Sequence, residues 1–149
     1  MKIYACDSKE LNHIKACLCF AKRLNLIDDD SLEAAEERCK KENEKREKML
    51  KNNEIVYGVT KFSFNAYLQY ELTRFKLEFA EESDRIKKVY QYKEITNKEQ
   101  KDFYKSNKDL FTRYNKDRFF YREVKTIIHK KLREAEYENE INNILCKLS

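Results

Sequence analysis

Apolar positions recur at intervals of three and four over most of the chain, the period of helices with one buried face. Leu11, Ile14, Leu18, Ala21 and Leu24 mark a first helix that runs to about Leu26, with Asp7 or Ser8 as its N-cap. Asp28, Asp29 and Asp30 then stop it and open the next helix, over roughly 31 to 52, where Asp30 and Glu33 have the spacing of a capping box. Between Glu36 and Lys51 only Cys39, Met49 and Leu50 are apolar. This second helix therefore leans a narrow stripe on a neighbour or extends as an arm.

Asn52 and Asn53 break the pattern, and Ile55-Val56-Tyr57-Gly58-Val59 is a β-prone run around the single glycine, which allows one short strand near 55–59. Gly58 suits a backbone position with positive φ. Ser63 caps a third helix over about 64 to 93, whose stripe of Phe64, Leu68, Leu72, Phe75 and Phe79 is the strongest apolar face in the chain. Thr96 and Glu99 form another capping box, opening a short helix with Phe103 and Tyr104; a loop follows from about Asn107 to Arg118. A final long helix over about 121 to 147 sets Val124, Ile127, Ile128, Leu132, Ala135, Ile141 and Leu145 on a face that closes the core.

Composition sharpens this picture. The 149 residues hold one Gly and no Pro, so many-turned sandwiches, glycine-looped βαβ sheets and propellers are excluded in favour of a single all-α domain over 1–149. About five helices make the bundle. Lys plus Arg exceed Asp plus Glu by 32 to 27, and the surplus is C-terminal: between Lys98 and Arg133 there are 12 basic residues against 5 acids. Mixed signs at helical spacing describe a solvated face with weak ion pairs better than a nucleic-acid footprint, so no nucleic acid is expected.

Five cysteines, Cys6, Cys17, Cys19, Cys39 and Cys146, form no CxxC pair, and their odd number argues against a disulfide framework. Met1 to Asp7 has no apolar leader, and no stretch approaches the ~20 apolar residues that span a bilayer. Thiols without a leader fit a reducing compartment such as the cytoplasm.

Chemistry-bearing motifs are scarce. His13 and Cys17 stand four apart on one helix face, half of a metal site whose other pair is missing, so neither a metal nor another cofactor is expected. His129 lies among Lys125, Lys130 and Lys131 as a surface histidine. Glu36–Glu37 and Glu81–Glu82 are adjacent on helices and diverge by about 100°, too far to share a reacting atom. Glycine-rich phosphate loops, G-x-S-x-G and H-E-x-x-H are absent, and no catalytic residue is assigned.

The aromatics say more. Ten Tyr and nine Phe exceed what a thin helical core can absorb, and Tyr offers an apolar body with a polar tip at a wet interface. Tyr57, Phe62, Tyr67, Tyr70, Tyr104 and Tyr114 are the candidate contacts for an extended polypeptide, against the simpler alternative of a Tyr-rich core margin.

The order of segments carries a family resemblance. Ala21 to Ser31, Glu42 to Arg46 and Ile55 to Ser63 resemble the N-terminal chaperone part of SurA- and PrsA-like proteins. Ile95 to Phe111 is similar to that family's "ITxEExKxYYxxNKDLF" segment, and Phe120 to Leu132 to its closing "EVKxxIxxxL" helix. The resemblance implies a trigger factor/SurA peptide-binding type of fold and a chaperone that holds unfolded or extended polypeptide, in a family that is usually extracytoplasmic. Many members insert a parvulin prolyl isomerase between the last two segments. Here only Thr112 to Phe119 separates them, so the isomerase activity is not carried over and the chain is expected not to be an enzyme. The alternatives are a helical interaction or scaffold protein, as a homodimer or through a coiled-coil partner of the polar second helix, and, with less support, a nucleic-acid binder.

Overall fold

The computed structural model describes residues 8–113 and 117–148. It is an all-helical bundle of α1 (Ser8–Arg23), α2 (Leu32–Lys51), α3 (Phe64–Ala80), α4 (Asp84–Lys87), α5 (Asn97–Ser106), a 3-10 turn at Lys108–Phe111 and the long α6 (Tyr121–Leu148). α6 packs against α1, α3 and α5, and α3 also meets α1 and α2. No strand occurs among the described residues: the 55–59 run is irregular, with a bend at Gly58, and the one β-bridge joins Thr112 to Arg118.

α1 is a wedge between two cores. Ala16, Cys17, Phe20 and Leu24 face Phe79, Ile86, Tyr137, Ile141 and Ile144, whereas Ile14, Leu18 and Ala21 face Ile27, Ala35, Leu68 and Phe75. The fully buried Phe79 ring lies 4.8 to 5.8 Å from the rings of Phe20, Tyr90, Tyr92 and Tyr137 in tilted and edge-on contacts. Further along α6, Val124 and Ile128 close a smaller cluster with Phe111, flanked by Phe103, Tyr104 and Phe119. Ile127 and Ala135, expected on the core face, are exposed instead; the buried line through α6 runs Val124, Ile128, Arg133, Tyr137, Ile141, Ile144.

Three helices end without glycine. Asn25, Asn53 and Glu82 have φ of 60°, 59° and 55°, and at each the two backbone bonds of a Schellman motif are made: Leu26 N to Ala21 O, Glu54 N to Met49 O and Ser83 N to Glu78 O are the outer ones. Asparagine tolerates this conformation, while a Glu there costs about 1–2 kcal/mol. The stop at Glu82 divides the single helix expected over 64 to 93 into α3, the one-turn α4 and an irregular segment that returns Tyr90 and Tyr92 to the core.

The caps follow the sequence with one shift. Ser63 and Thr96 accept from Ala66 N and Glu99 N as expected, but α2 is capped by Ser31, whose Oγ accepts from Ala34 N, while Asp29 accepts from Ser31 N. The Asp30–Glu33 box is displaced by one residue because Asp29 turns the chain first. Asp7 lies outside the described residues.

Buried polar groups tie the bundle together. Arg38 of α2 grips Glu71 of α3 through two bonds of 2.8 and 2.7 Å, and the Tyr67 hydroxyl donates to the same carboxylate at 2.8 Å. At the other end Arg133, 5% exposed, donates to Lys93 O, Glu136 and Glu82 and lies over the Tyr92 ring. Glu136 also accepts from the Tyr90 hydroxyl and Lys93 N.

Candidate polypeptide-binding surface

The polar stripe of α2 builds the first candidate surface. Cys39, Asn43 and Arg46 are spaced four and three apart and so share one face, turned toward the segment that links α2 to α3. Asn43 clamps Phe62 from both sides: its Oδ1 accepts from Phe62 N at 2.7 Å and its Nδ2 donates to Phe62 O at 3.0 Å. Arg46 Nη1 donates to Tyr57 O at 2.9 Å and Val59 O at 2.5 Å, its Nε to Glu42 at 3.0 Å, and its guanidinium sits 4.7 Å above the Phe62 ring. Two side chains of one helix therefore hold the loop at three of its residues, Tyr57, Val59 and Phe62. Gly58, between the two clamped carbonyls, has φ of +83°, the left-handed geometry that its sequence context suggested.

With the carbonyls turned inward, Ile55, Tyr57 and Val59 project outward, and Tyr57 is 82% exposed. Leu50 at the end of α2 adds to this apolar strip. Beside it a groove of about 510 Å³ is lined by Lys40, Asn43, Glu44, Glu47, Leu50, Thr60 and Lys61.

The six candidate aromatics separate. Phe62, Tyr67 and Tyr70 form one ring cluster, with centroids 5.0 to 6.2 Å apart, behind the loop that carries Tyr57. Within it Tyr67 is buried, and burial followed by the negative charge of Glu71 pushes its hydroxyl pKa well above the usual phenol value. Phe62 and Tyr70 are half-buried, so Tyr57 alone of the four is open. Tyr104 belongs elsewhere: it stacks on Phe111 at 5.4 Å, edges Tyr121 and donates to Phe119 O. Tyr114 lies outside the described residues.

A second apolar strip went unnoticed in the sequence. Leu110, Phe120 and Ile127 are all exposed around the small Phe111–Val124–Ile128 cluster, Phe120 to 68%. Of the three only Ile127 reads as core by its periodicity; Leu110 lies in the expected 107–118 loop and Phe120 just before the last helix.

The His13–Cys17 pair lines a groove of about 450 Å³ between α1, α3 and α6, with Lys76, Tyr137 and Glu138. Cys17 Sγ is 3.8 and 3.9 Å from the two ring nitrogens, so neither is aimed at it. Burial, then the charge of Glu138, pushes the Cys17 thiol up to about 12, which leaves it neutral and unreactive. Among the described residues no group of three or more His, Cys, Asp or Glu is placed to hold a metal ion. His129 is half-buried rather than a plain surface residue, with Nε2 2.7 Å from Glu82. None of the described helices is long and apolar enough to cross a membrane.

No family model matches the chain, and no curated protein matches it. Two crystal structures of the GH136 lacto-N-biosidase from Eubacterium ramulus do, the native protein and its selenomethionine derivative, with TM-scores of 0.78 and 0.77 and 25% identity in both. The similarity covers 91% of this chain but 27% of that one, so the chain spans about a quarter of the length of the glycosidase it is similar to.

Proposed function

We propose that this chain is a non-catalytic, chaperone-like helical module that binds polypeptide, and that its client is the body of a glycosidase of the lacto-N-biosidase kind. The observation that carries the reading is the exposure of large apolar side chains at two helix junctions, with Leu50 at the end of α2 followed by Ile55, Tyr57 and Val59, and Leu110 and Phe120 before α6 followed by Ile127 within it; of the other large apolar side chains among the described residues only Leu77 and Val89 are exposed. Exposed apolar residues gathered on one region favour a protein partner. The mechanism is reversible burial of client side chains, with no nucleotide or cofactor.

The glycosidase client is supported by the likeness to a quarter of such an enzyme. Glycoside hydrolysis generally needs two carboxyl groups flanking a cleft, about 5–10 Å apart. In this chain the two buried glutamates, Glu71 and Glu136, are each occupied by an arginine that joins two parts of the bundle. The catalytic pair of the proposed assembly then belongs to the partner, and the resemblance of several segments to SurA- and PrsA-like chaperones agrees with a holding role.

The test is refolding of the Eubacterium ramulus enzyme deprived of its matching helical portion, with and without this protein. Near-stoichiometric amounts are expected to raise the recovered glycosidase activity and to suppress aggregation of reduced α-lactalbumin. Failure of the first with success of the second removes the glycosidase client; failure of both removes the chaperone reading. A concentration-dependent mass without client binding would favour the scaffold alternative.

A further inference from the structure

The floor of the groove between α1, α3 and α6 holds a polar group that the bundle does not use. Tyr137 of α6 is 3% exposed, and its ring packs on Phe20 and Phe79 with centroids 5.5 and 5.4 Å away. Its buried hydroxyl makes no hydrogen bond within the protein. Burial, then the neighbouring Cys17 thiol, pushes that hydroxyl's pKa well above the usual phenol value, yet the thiol is a poor acceptor and lies outside hydrogen-bond geometry. The hydroxyls of Tyr67, Tyr90 and Tyr92, by contrast, donate to Glu71, Glu136 and Phe79 O. A buried donor left without an acceptor costs stability.

The surroundings of the hydroxyl decide what answers it. Ile14 and Leu72 give the groove apolar walls, and its volume of about 450 Å³ is in the range of small-ligand sites. Thr73 and Glu138 bring polar atoms to the rim, where Glu138 Oε1 holds Lys76 at 2.8 Å. The charge of Glu138 raises the pKa of both Cys17 and Tyr137, and at Cys17 it outweighs the opposing charge of Lys76, so an anion laid on the floor meets repulsion. An ammonium group offers the phenol nothing to donate to, and a hydrocarbon leaves it orphaned. A neutral amide meets both needs, with a carbonyl oxygen for the phenol and N–H groups for Glu138 or Thr73.

We infer that this groove is a site for a neutral amide group on a short apolar body, with the Tyr137 hydroxyl donating to its carbonyl oxygen. The exposed His13, which rests 3.8 Å from Cys17 Sγ, turns aside to admit it. The same chemistry comes as a free small molecule or as the side chain of Gln or Asn in a bound polypeptide. The site is separate from the exposed apolar strips, so its failure leaves the polypeptide-binding reading standing.

The test titrates isovaleramide against isovalerate and isoamylamine, which share its branched body, and follows the backbone amide shifts of Cys17, Leu72 and Tyr137. The amide is expected to bind at about millimolar strength, the range open to so small a fragment. It should bind about fivefold or more tighter than either ion, the equivalent of one hydrogen bond. Tyr137→Phe is expected to weaken the amide by the same factor while leaving Tm unchanged or raised, because it deletes an unanswered group. Displacement of isovaleramide by acetyl-Ser-Gln-Ser-amide and not by its Glu counterpart assigns the site to a polypeptide side chain; displacement by neither assigns it to a free small molecule. Equal binding of amide and carboxylate, or equal binding by Tyr137→Phe, overturns the site. So does a Tm lower by about 3 °C or more in that variant, the size of one lost hydrogen bond in a chain of this length, because the hydroxyl would then have a structural partner.

Discussion

Replacing Arg133 with Met removes the guanidinium on which the 82–93 segment is assembled. Methionine keeps the unbranched apolar stem but loses the bonds to Lys93 O at 2.5 Å, Glu136 at 2.7 Å and Glu82 at 3.2 Å, and the guanidinium 4.6 Å over the Tyr92 ring. Glu136, 6% exposed, is left buried with its charge. Breaking a buried pair from one side costs about 3–5 kcal/mol, and because the Tyr90 hydroxyl and Lys93 N still solvate Glu136, the lower end applies. For 149 residues, an unfolding entropy of ~2.1 cal/mol/K per residue converts about 3 kcal/mol into a Tm lower by roughly 10 °C. Circular dichroism melts and urea titration measure it. The double variant Arg133→Met/Glu136→Gln, which neutralises the orphan, is expected to recover about half of the loss, since the two residues share one network. A single-variant loss under ~1 kcal/mol, or a double variant no better than the single, would refute the reasoning.

Three further predictions concern other regions. Glu78 is held below the usual carboxylate range chiefly by its bonds from Arg85; for Glu82, burial acts upward but is outweighed by His129 and Arg133. Because both folded values lie below 4.5, their stabilisation is complete above that pH and is lost as pH falls through the folded values, so Tm should drop below about pH 4.5 and drop less in Glu78→Gln/Glu82→Gln. At Asn53, exposed with φ of 59°, Gly should stabilise by a few tenths to about 1 kcal/mol and Ala destabilise by about 1 kcal/mol, read as opposite shifts of the urea midpoint. Iodoacetamide at pH 8 should label the exposed Cys146 well before the buried Cys17 and Cys39, and equal rates for Cys17 and Cys146 would contradict its burial and raised pKa.

Most of the helices were legible because their apolar residues follow the helical period and their caps are Ser and Thr: Leu68, Phe75 and Phe79 on α3 and the Ser63 and Thr96 starts stand where the pattern put them. What the pattern hid is the work done by charged residues. Arg38, Asn43 and Arg46 look like a solvated helix face, yet each points inward to a carboxylate or a backbone carbonyl. Arg133 and Glu136 likewise sit in a run that reads as surface. Hydropathy scores a residue by transfer from water and cannot tell a paired charge from a solvated one. The break after α3 was missed for a related reason: Glu82 in a left-handed turn contradicts its own preference, and its Schellman bonds together with His129 and Arg133 of α6 hold it there. Of the candidate contacts, Tyr57 is open and Tyr67 is shut, a difference set by which side of a clamped loop each ring occupies.

The wedge position of α1 has a consequence for how the protein is made. Phe20 needs Tyr137, Ile141 and Ile144 to complete its surroundings, and Phe20 and Ile144 are 124 positions apart. At translation speeds of ~5–20 residues per second, the ribosome takes roughly 6–25 s to supply the second after the first. During that interval the sticky side of the earliest helix is uncovered, so this protein is itself, for several seconds of every synthesis, a nascent chain in need of shelter.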